Sequence, residues 1–327
     1  MGGTHGVPLI QVHVTCNTGR MKISLFTFSE SVDSLIEQAD TARSQGFDSV
    51  WLPQIFGIDA LTAIGIAGRE VPDIGFGTAV IPTYPRHPQM LAQQALTVTQ
   101  AIGDRLILGI GPSHKPVIEG MWGMSFDKPI RHMREYLECI GPLLKDGSVR
   151  FGGETLTTRA DIDVKGPTPK LMVAALGPQL LKVTGRLADG TILWMTGPRT
   201  IADHTVPTIS AAASEAGRPA PWVAAAFPIC VTDGSEAALA SARERAAREF
   251  AIYGQLPSYR AMLDREGYEG PEDLAIIGDA DSVKTRIEAL ADCGVTHFGA
   301  SEFGAADEKA ATRDLLVAML AGSPAGT

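Results

Sequence analysis

The chain has 327 residues, of which 45% are hydrophobic and 20% charged, and its formal net charge is −9 at pH 7. This composition is typical of a globular protein with a large core, and the lack of Lys and Arg clusters argues against nucleic acid and anionic membranes as partners. No run of 18 apolar residues predicts a membrane span, so we expect a soluble protein.

The cysteines and histidines show no metal-ligand spacing. Cys16, Cys139, Cys230 and Cys293 form no CxxC pair, and the seven histidines form no HExxH motif. This pattern predicts reduced thiols in a cytoplasmic protein without a metal site. Residues 1–20 lack the basic start and apolar core of a signal peptide. We interpret them as a disordered extension before one folded domain at residues 21–321.

From residue 21 onward the sequence repeats a short apolar run, a polar turn and an amphipathic helix. The first half predicts strands at 23–27, 48–52, 74–81 and 105–110, with helices at 31–45, 58–69 and 88–102 between them. Each strand has apolar residues on both faces, unlike the alternation of a half-exposed sheet. Such runs are typical of parallel strands that helices cover on both sides.

The second half continues this alternation, with two interruptions. It predicts a helix at 130–145, an antiparallel excursion at 148–158, strands at 171–175, 191–194, 222–231 and 295–300, and helices at 179–188, 201–216, 235–253, 280–293 and 307–320. Residues 255–268 break the regular spacing and are predicted to be a helical insertion. Eight parallel strands close a (β/α)8 TIM barrel, here with insertions after strands 4 and 7. The alternative, a doubly wound open sheet, would need an early GxGxxG turn, which is absent.

In such barrels the active site lies at the carboxyl ends of the strands. The residues after the predicted strands include no paired carboxylates, no His/Asp/Glu cluster and no strand lysine. Glycosidase chemistry, a catalytic metal and a Schiff base are therefore unsupported. Glycines, small hydroxyls and apolar residues predominate instead. They suit a large planar cofactor that carries out the chemistry while the protein positions it.

Several segments near the strand ends carry a more specific resemblance. They are Asp48-Ser49-Val50-Trp51, Gly77-Thr78-Ala79-Val80, Arg86-His87-Pro88 with Leu91-Ala92-Gln93-Gln94, and Arg105-Leu106-Ile107-Leu108-Gly109-Ile110-Gly111. In order and spacing they resemble the luciferase-like monooxygenase superfamily over about residues 21–320. The resemblance is in particular to its actinobacterial branch, which depends on the deazaflavin coenzyme F420.

The resemblance implies a cofactor site. A cis peptide bond between Ala79 and Val80 would press against the back of the cofactor ring, and Gln54 would contact the ring. The further cofactor-binding residues implied are Pro82, Thr83 and Gly111, together with Leu176, Gly177, Gln179 and Leu180, whose backbone N–H groups would hold the cofactor phosphate. The last four surround a glycine followed by Pro178 at a helix start, which offers unpaired donors.

His114 follows the fourth strand, where related sugar-phosphate dehydrogenases carry a catalytic glutamate. An imidazole exchanges protons near neutral pH, so His114 is the candidate catalytic residue, with Ser113 assisting. The candidate substrate-binding residues are Phe56, Trp122, Trp194 and Arg199.

Two departures from the family pattern matter. Gln54-Ile55 stands where many relatives have Asp-His, and Pro198 stands where the sugar-phosphate enzymes have a lysine. Glucose-6-phosphate is therefore not the expected substrate.

Three functional hypotheses follow. The first is hydride transfer between coenzyme F420 and an unidentified small organic substrate. The second is an FMN-dependent monooxygenase that takes reduced flavin from a reductase partner and activates dioxygen. The third is a non-catalytic barrel that binds a flavin or deazaflavin. By analogy with relatives we expect a homodimer, with the apolar second and third helices as a possible interface.

Overall fold

Eight parallel strands close into a barrel in the computed structural model, which describes residues 20–322. In chain order the strands are β1 (Lys22–Phe26), β2 (Ser49–Leu52), β3 (Gly75–Thr78), β4 (Ile81–Pro82), β5 (Leu106–Gly111), β6 (Ser148–Gly152), β7 (Thr157–Asp161), β8 (Lys170–Ala174), β9 (Gly190–Trp194), β10 (Trp222–Val231), β11 (Ile276–Gly278) and β12 (His297–Glu302). The barrel order is β1-β2-β3-β5-β8-β9-β10-β12, and β12 pairs with β1 to close it. The predicted TIM barrel is confirmed.

Helices surround the barrel. They are α1 (Val32–Ser44), α2 (Ala60–Glu70), α3 (Pro88–Ile102), α4 (Pro129–Asp146), α5 (Pro178–Leu187), α6 (Pro198–Thr200), α7 (Val206–Glu215), α8 (Glu236–Glu249), α9 (Ala251–Gln255), α10 (Pro257–Glu266), α11 (Ala280–Asp292) and α12 (Ala306–Ala321). Several begin at a side chain that accepts a backbone N–H, such as Ser31 before α1 and Asp279 before α11. These caps satisfy N–H groups that the first helical turn leaves unpaired. None of the helices within residues 20–322 combines the length and hydrophobicity needed to cross a membrane.

The structure differs from the predicted elements at several points. The predicted third strand is divided into β3 and β4, and the predicted helix at 235–253 ends at Glu249 and restarts as α9. Two π-helical segments, Pro116–Met121 and Ile201–Thr205, and the short strand β11 were not predicted. The proposed extension at residues 1–20 lies, except for Arg20, outside the described residues.

The interior of the barrel is packed with side chains. Trp51 lies inside with Met172 and Ile192, and its ring stacks on Phe26 with centroids 5.5 Å apart. Gly77 permits this arrangement, because a Cβ there would lie 2.4 Å from the Trp51 ring. This contact explains the glycine in the third-strand motif.

The amino-terminal end of the barrel is closed by the first residues of two strands. Trp222 of β10 lies against His297 of β12, with ring centroids 4.4 Å apart. Burial, together with the positive charge of nearby Lys22, lowers the pKa of His297 to about 4, so the ring is neutral at pH 7. Access from outside therefore favours the carboxyl ends of the strands.

Two additions interrupt the regular strand–helix alternation. The antiparallel hairpin β6–β7 lies between β5 and β8 in the chain and packs on α4. The segment from α9 through β11 lies between β10 and β12, and its helix α10 contacts α6 near the carboxyl end of β9. The second addition brings side chains from outside the barrel to the rim where the active site is expected.

Candidate active site

His114 and Ser113 lie in the loop after β5, at the carboxyl end of the barrel. Ser113 has a φ of 60°, which non-glycine residues adopt rarely, and the chain then enters the π-helical segment. Both side chains are half-buried and have no hydrogen-bond partner within residues 20–322. Burial lowers the pKa of His114 below its ordinary value of 6.5, so the imidazole is neutral at pH 7.

The peptide bond between Ala79 and Val80 is cis, as the resemblance implies. It joins β3 to β4, and both side chains pack with Ile107 inside the barrel. Gly111, at the end of β5, approaches this point closely. A Cβ on it would lie 2.7 Å from Cγ2 of Val80 and 3.2 Å from Cβ of Ala174. The carboxyl end of the barrel, which we call the mouth, is therefore lined by small residues beside Val80.

The other residues predicted to contact the cofactor ring have partners within the protein. Pro82 lies in β4, which pairs with β5. Thr83 is buried, and its hydroxyl forms a 3.0 Å hydrogen bond with Nε2 of His132. Gln54 accepts the backbone N–H of Ala60 on its Oε1 at 2.8 Å, which leaves only its NH2 group for a ligand. Their contacts with a cofactor remain predictions.

The predicted phosphate-binding residues form the start of α5. Gly177 is its N-cap and supplies no capping side chain. The N–H groups of Gln179 and Leu180 belong to the first turn, which has no acceptor within the helix. The carbonyl oxygen of Leu176 lies 3.2 Å from Nε2 of His204, which anchors the loop. The start of α5 therefore presents the unpaired N–H groups of Gln179 and Leu180.

A cavity of about 370 Å³ lies between the starts of α4 and α5. It is lined by Lys128, Pro129, Ile130, Arg131, Arg134, Gln179 and Val183. Helix α4 also begins without a capping side chain. Lys128 and Arg131 pair with Glu154, whereas Arg134 has no acidic partner among the described residues. Two uncapped helix starts and three cations suit a phosphate or carboxylate ligand. We call this cavity the anion pocket.

The sequence analysis did not predict the three cations of the anion pocket as ligand-binding residues. Their position in the sequence is nevertheless unusual. Lys128, Arg131 and Arg134 fall at the beginning of the predicted helix 130–145. The helix dipole disfavours positive charge at that end. Three cations there indicate that a negative partner compensates them.

A chain of aromatic rings crosses from β9 to the loop after β5. Trp194, the last residue of β9, lies 6.0 Å from Tyr253, which lies 5.0 Å from Tyr259, measured between ring centroids. The Tyr259 ring lies 5.8 Å from that of His114. Burial raises the pKa of both tyrosines, so both phenols are protonated at pH 7. The two tyrosines belong to the insertion and were not among the predicted site residues.

The remaining predicted substrate-binding residues are spread around the rim. Phe56 is 70% exposed in the loop after β2, and Trp122 is half-buried directly after the first π-helical segment. Arg199 is exposed and lies 3.9 Å from Asp203, one turn away. This pairing holds Arg199 at the surface.

Glu266 of α10 lies at the start of α6, the short helix that follows β9. Its Oε1 accepts the backbone N–H of Thr200 at 2.5 Å. A Cβ on Gly197 would lie 2.3 Å from the carboxylate carbon of Glu266, which shows how closely the two segments approach. A carboxylate of the protein itself therefore already satisfies this helix start.

A second cavity, of about 480 Å³, opens beside the carboxyl ends of β1 and β12. Its walls include Phe26, Phe28, Gln38, Glu302 and Arg313. Glu302 and Arg313 pair with each other at 2.5 Å. The charges in this cavity are thus balanced internally, unlike those of the anion pocket.

The closed barrel, with the anion pocket and the chain of aromatic rings at its carboxyl end, has the architecture of (β/α)8-barrel enzymes, which bind their ligands at the strand ends. The sequence profile of the luciferase-like monooxygenases matches residues 9–297. The chain belongs to this family and is an oxidoreductase.

Characterised relatives and solved structures agree with this assignment. The 5,10-methylenetetrahydromethanopterin reductase of Methanolobus tindarius is 26% identical over 321 residues, which cover 87% of this chain and 95% of the reductase. The structure of the coenzyme F420-dependent tetrahydromethanopterin reductase from Methanopyrus kandleri has a TM-score of 0.76 at 22% identity and covers 91% of this chain and 98% of its own. The EDTA monooxygenase from Chelativorans sp. BNC1 has a TM-score of 0.78 at 17% identity, covering 93% and 94%. The two structures show the same fold.

Proposed function

We propose that the protein transfers a hydride between coenzyme F420 and a small neutral organic substrate. The anion pocket is the observation that carries this proposal. Coenzyme F420 bears a phosphodiester and glutamate carboxylates on its side chain, whereas FMN bears a single phosphate. Lys128, Arg131 and Arg134 line the pocket together with Gln179, whose N–H group is free. Glu154 pairs with the first two cations, so the pocket keeps a net positive charge that suits the several anionic groups of F420.

The residues at the mouth fit a planar ring next to this pocket. Val80, Ala174 and Gly111 present small side chains, and Gln54 keeps its NH2 group for a ring oxygen. When bound, the deazaflavin would supply the hydride-accepting or hydride-donating carbon. The protein would orient the substrate against that carbon and exclude water. His114, which is neutral at pH 7, would take or give the accompanying proton.

Equilibrium titration with each coenzyme, followed by fluorescence, tests the choice of cofactor. We expect F420 to bind more tightly than FMN, and its affinity to fall with increasing salt because exposed cations hold it. The variant Arg134→Ala should weaken F420 binding about threefold, a typical effect of one exposed ionic contact, and should affect FMN less.

Arg186→Ala is the matched control, because Arg186 lies in the last turn of the same helix α5 and pairs with Glu215. It should leave both affinities unchanged. Tight FMN binding without F420 binding would instead favour the FMN-dependent monooxygenase, which needs a reductase partner. Tight F420 binding without turnover of any alcohol, aldehyde or enone would favour a non-catalytic binding role.

A further inference from the structure

Two neighbouring rings at the carboxyl end of the barrel carry polar groups that lack protein partners. The ring nitrogens of His114 and the hydroxyl of Tyr259 form no hydrogen bond with any residue from 20 to 322, although the two rings are only 5.8 Å apart. Neither group is completely sealed from solvent, since both residues retain accessible surface. A half-buried polar group without a protein partner is normally satisfied by water or by a ligand.

We propose that His114 and Tyr259 together bind the oxygen atom of the substrate, and that the substrate is an alcohol, aldehyde or ketone with an apolar body. This inference rests on the proposed function and names the substrate class for the same site. A protonated phenol donates a hydrogen bond, and a neutral imidazole can either donate or accept one. The pair can therefore hold a carbonyl oxygen as well as a hydroxyl group.

The charges around the pair favour a neutral substrate. The cations next to the pair in sequence are engaged: Lys115 lies 3.6 Å from Glu119, and Arg260 lies 2.7 Å from Asp264. The helix start after β9, which could hold an anion, is occupied by Glu266. Neither these two cations nor this helix start is therefore available to an anionic group of a substrate.

The hydrocarbon part of the substrate would lie against the rings of Trp194 and Tyr253. These two residues continue the aromatic chain away from Tyr259 and pack with Met195, Leu263 and further apolar side chains. Aromatic faces bind apolar groups well and keep water away from them. The proposed substrate site thus has an end that binds the oxygen atom and, next to it, an apolar end.

A dead-end complex tests the inference without turnover. Cyclohexanone cannot be reduced by oxidised coenzyme F420, so its dissociation constant can be measured at equilibrium by saturation-transfer NMR with that coenzyme bound. Methylenecyclohexane, which has the same shape but lacks the oxygen, is the reference ligand. We expect the wild-type protein to bind the ketone more tightly. Tyr259→Phe and His114→Phe should each weaken ketone binding about five- to tenfold, as expected for the loss of one hydrogen bond, without affecting methylenecyclohexane.

Tyr268→Phe is the control, since it removes a phenol hydroxyl from the same insertion outside the ring chain that leads to His114. It should leave the preference for the ketone intact. Wild-type protein that binds oxidised F420 but does not prefer the ketone would overturn the inference while leaving the proposed function in place. A Tyr259→Phe variant that keeps the same preference for the ketone as Tyr268→Phe would also overturn the inference. Protein that binds no F420 would overturn both.

Discussion

The protonation state of His114 links its surroundings to the chemistry proposed for it. Burial lowers its pKa below 6.5, so the neutral form predominates at pH 7 and is lost in more acidic solution. When the substrate is oxidised, His114 must accept a proton. We therefore expect kcat/KM to be constant between about pH 7 and 8 and to fall as the pH drops through the lowered pKa.

His114→Gln tests this assignment, because glutamine keeps polar atoms but cannot accept the proton. The variant should lose roughly 100-fold in kcat/KM, the lower end of the usual contribution of general acid–base catalysis. The acid limb of the pH profile should disappear with it. If the variant kept the wild-type acid limb, another group would be responsible for the proton transfer.

Some residues that identified the family serve the fold and not the reaction. The guanidinium of Arg105 donates to the backbone carbonyls of Val71 and Ile74 at 3.0 and 2.9 Å, which fixes the start of β5. Arg86 donates to Oε1 of Gln94 at 2.7 Å and also pairs with Asp59. A motif can therefore mark a family through residues whose contacts lie within the protein itself.

At the scale of elements, the hairpin β6–β7 depends on one buried carboxylate of α4. Burial alone would raise the pKa of Glu135, but hydrogen bonds from the hydroxyl and N–H of Thr155 and from the N–H groups of Glu154 and Leu156 outweigh it and lower the pKa to about 2. Since the folded-state pKa lies below the ordinary value of 4.5, the ionised form contributes stability above that value. This contribution is lost as the pH falls from about 4.5 towards about 2.

Glu135→Gln should lower the free energy of unfolding at pH 7 by about 1–3 kcal/mol, because charged acceptors are replaced by a neutral group that leaves donors unsatisfied. The difference from wild type should shrink as the pH approaches 2. Urea denaturation at several pH values measures both effects. Glu138→Gln, on the same helix, is the control and should change stability by less than about 0.5 kcal/mol. A pH-independent difference for Glu135→Gln would contradict the assignment.

The sequence predicted the barrel strands well, because short segments with apolar residues on both faces recur between amphipathic helices, as parallel strands covered by helices require. The sequence could not predict that the ring of Tyr259 lies close to that of His114. Helical spacing locates an insertion but does not determine which way it folds over the barrel. The strand β11 was missed because three residues are too few for a periodic pattern. Of the residues that line the anion pocket, the sequence predicted a ligand-binding role only for Gln179 of α5, which stays a prediction, and it did not single out the cations of α4.

At the scale of the whole molecule, two exposed apolar side chains lie on adjacent helices. Ile66 of α2 is 45% exposed and Met90 of α3 is 54% exposed, and the two helices pack against each other. We propose that this surface forms a homodimer interface. The double variant Ile66→Glu with Met90→Glu should be monomeric, because two buried charges per protomer would face their own copies across a symmetric contact.

Light scattering coupled to size exclusion measures the mass of this variant. Ile252→Glu is the matched control, since Ile252 is 56% exposed but lies on α9 in the insertion. It should leave the mass of the wild-type protein unchanged. If the wild-type protein were a monomer, or if the double variant were still a dimer, α2 and α3 would not form a homodimer interface.

The insertion between β10 and β12 makes the two halves of the site separable. Tyr253 and Tyr259 come from this segment, whereas the anion pocket is built by α4 and α5 on other parts of the barrel. Grafting the corresponding segment of another family member between these two strands would exchange the surface that we propose selects the substrate, and would leave the proposed coenzyme site unchanged. Evolution, or a protein engineer, could in this way diversify the reactions of one scaffold by changing a single stretch of chain.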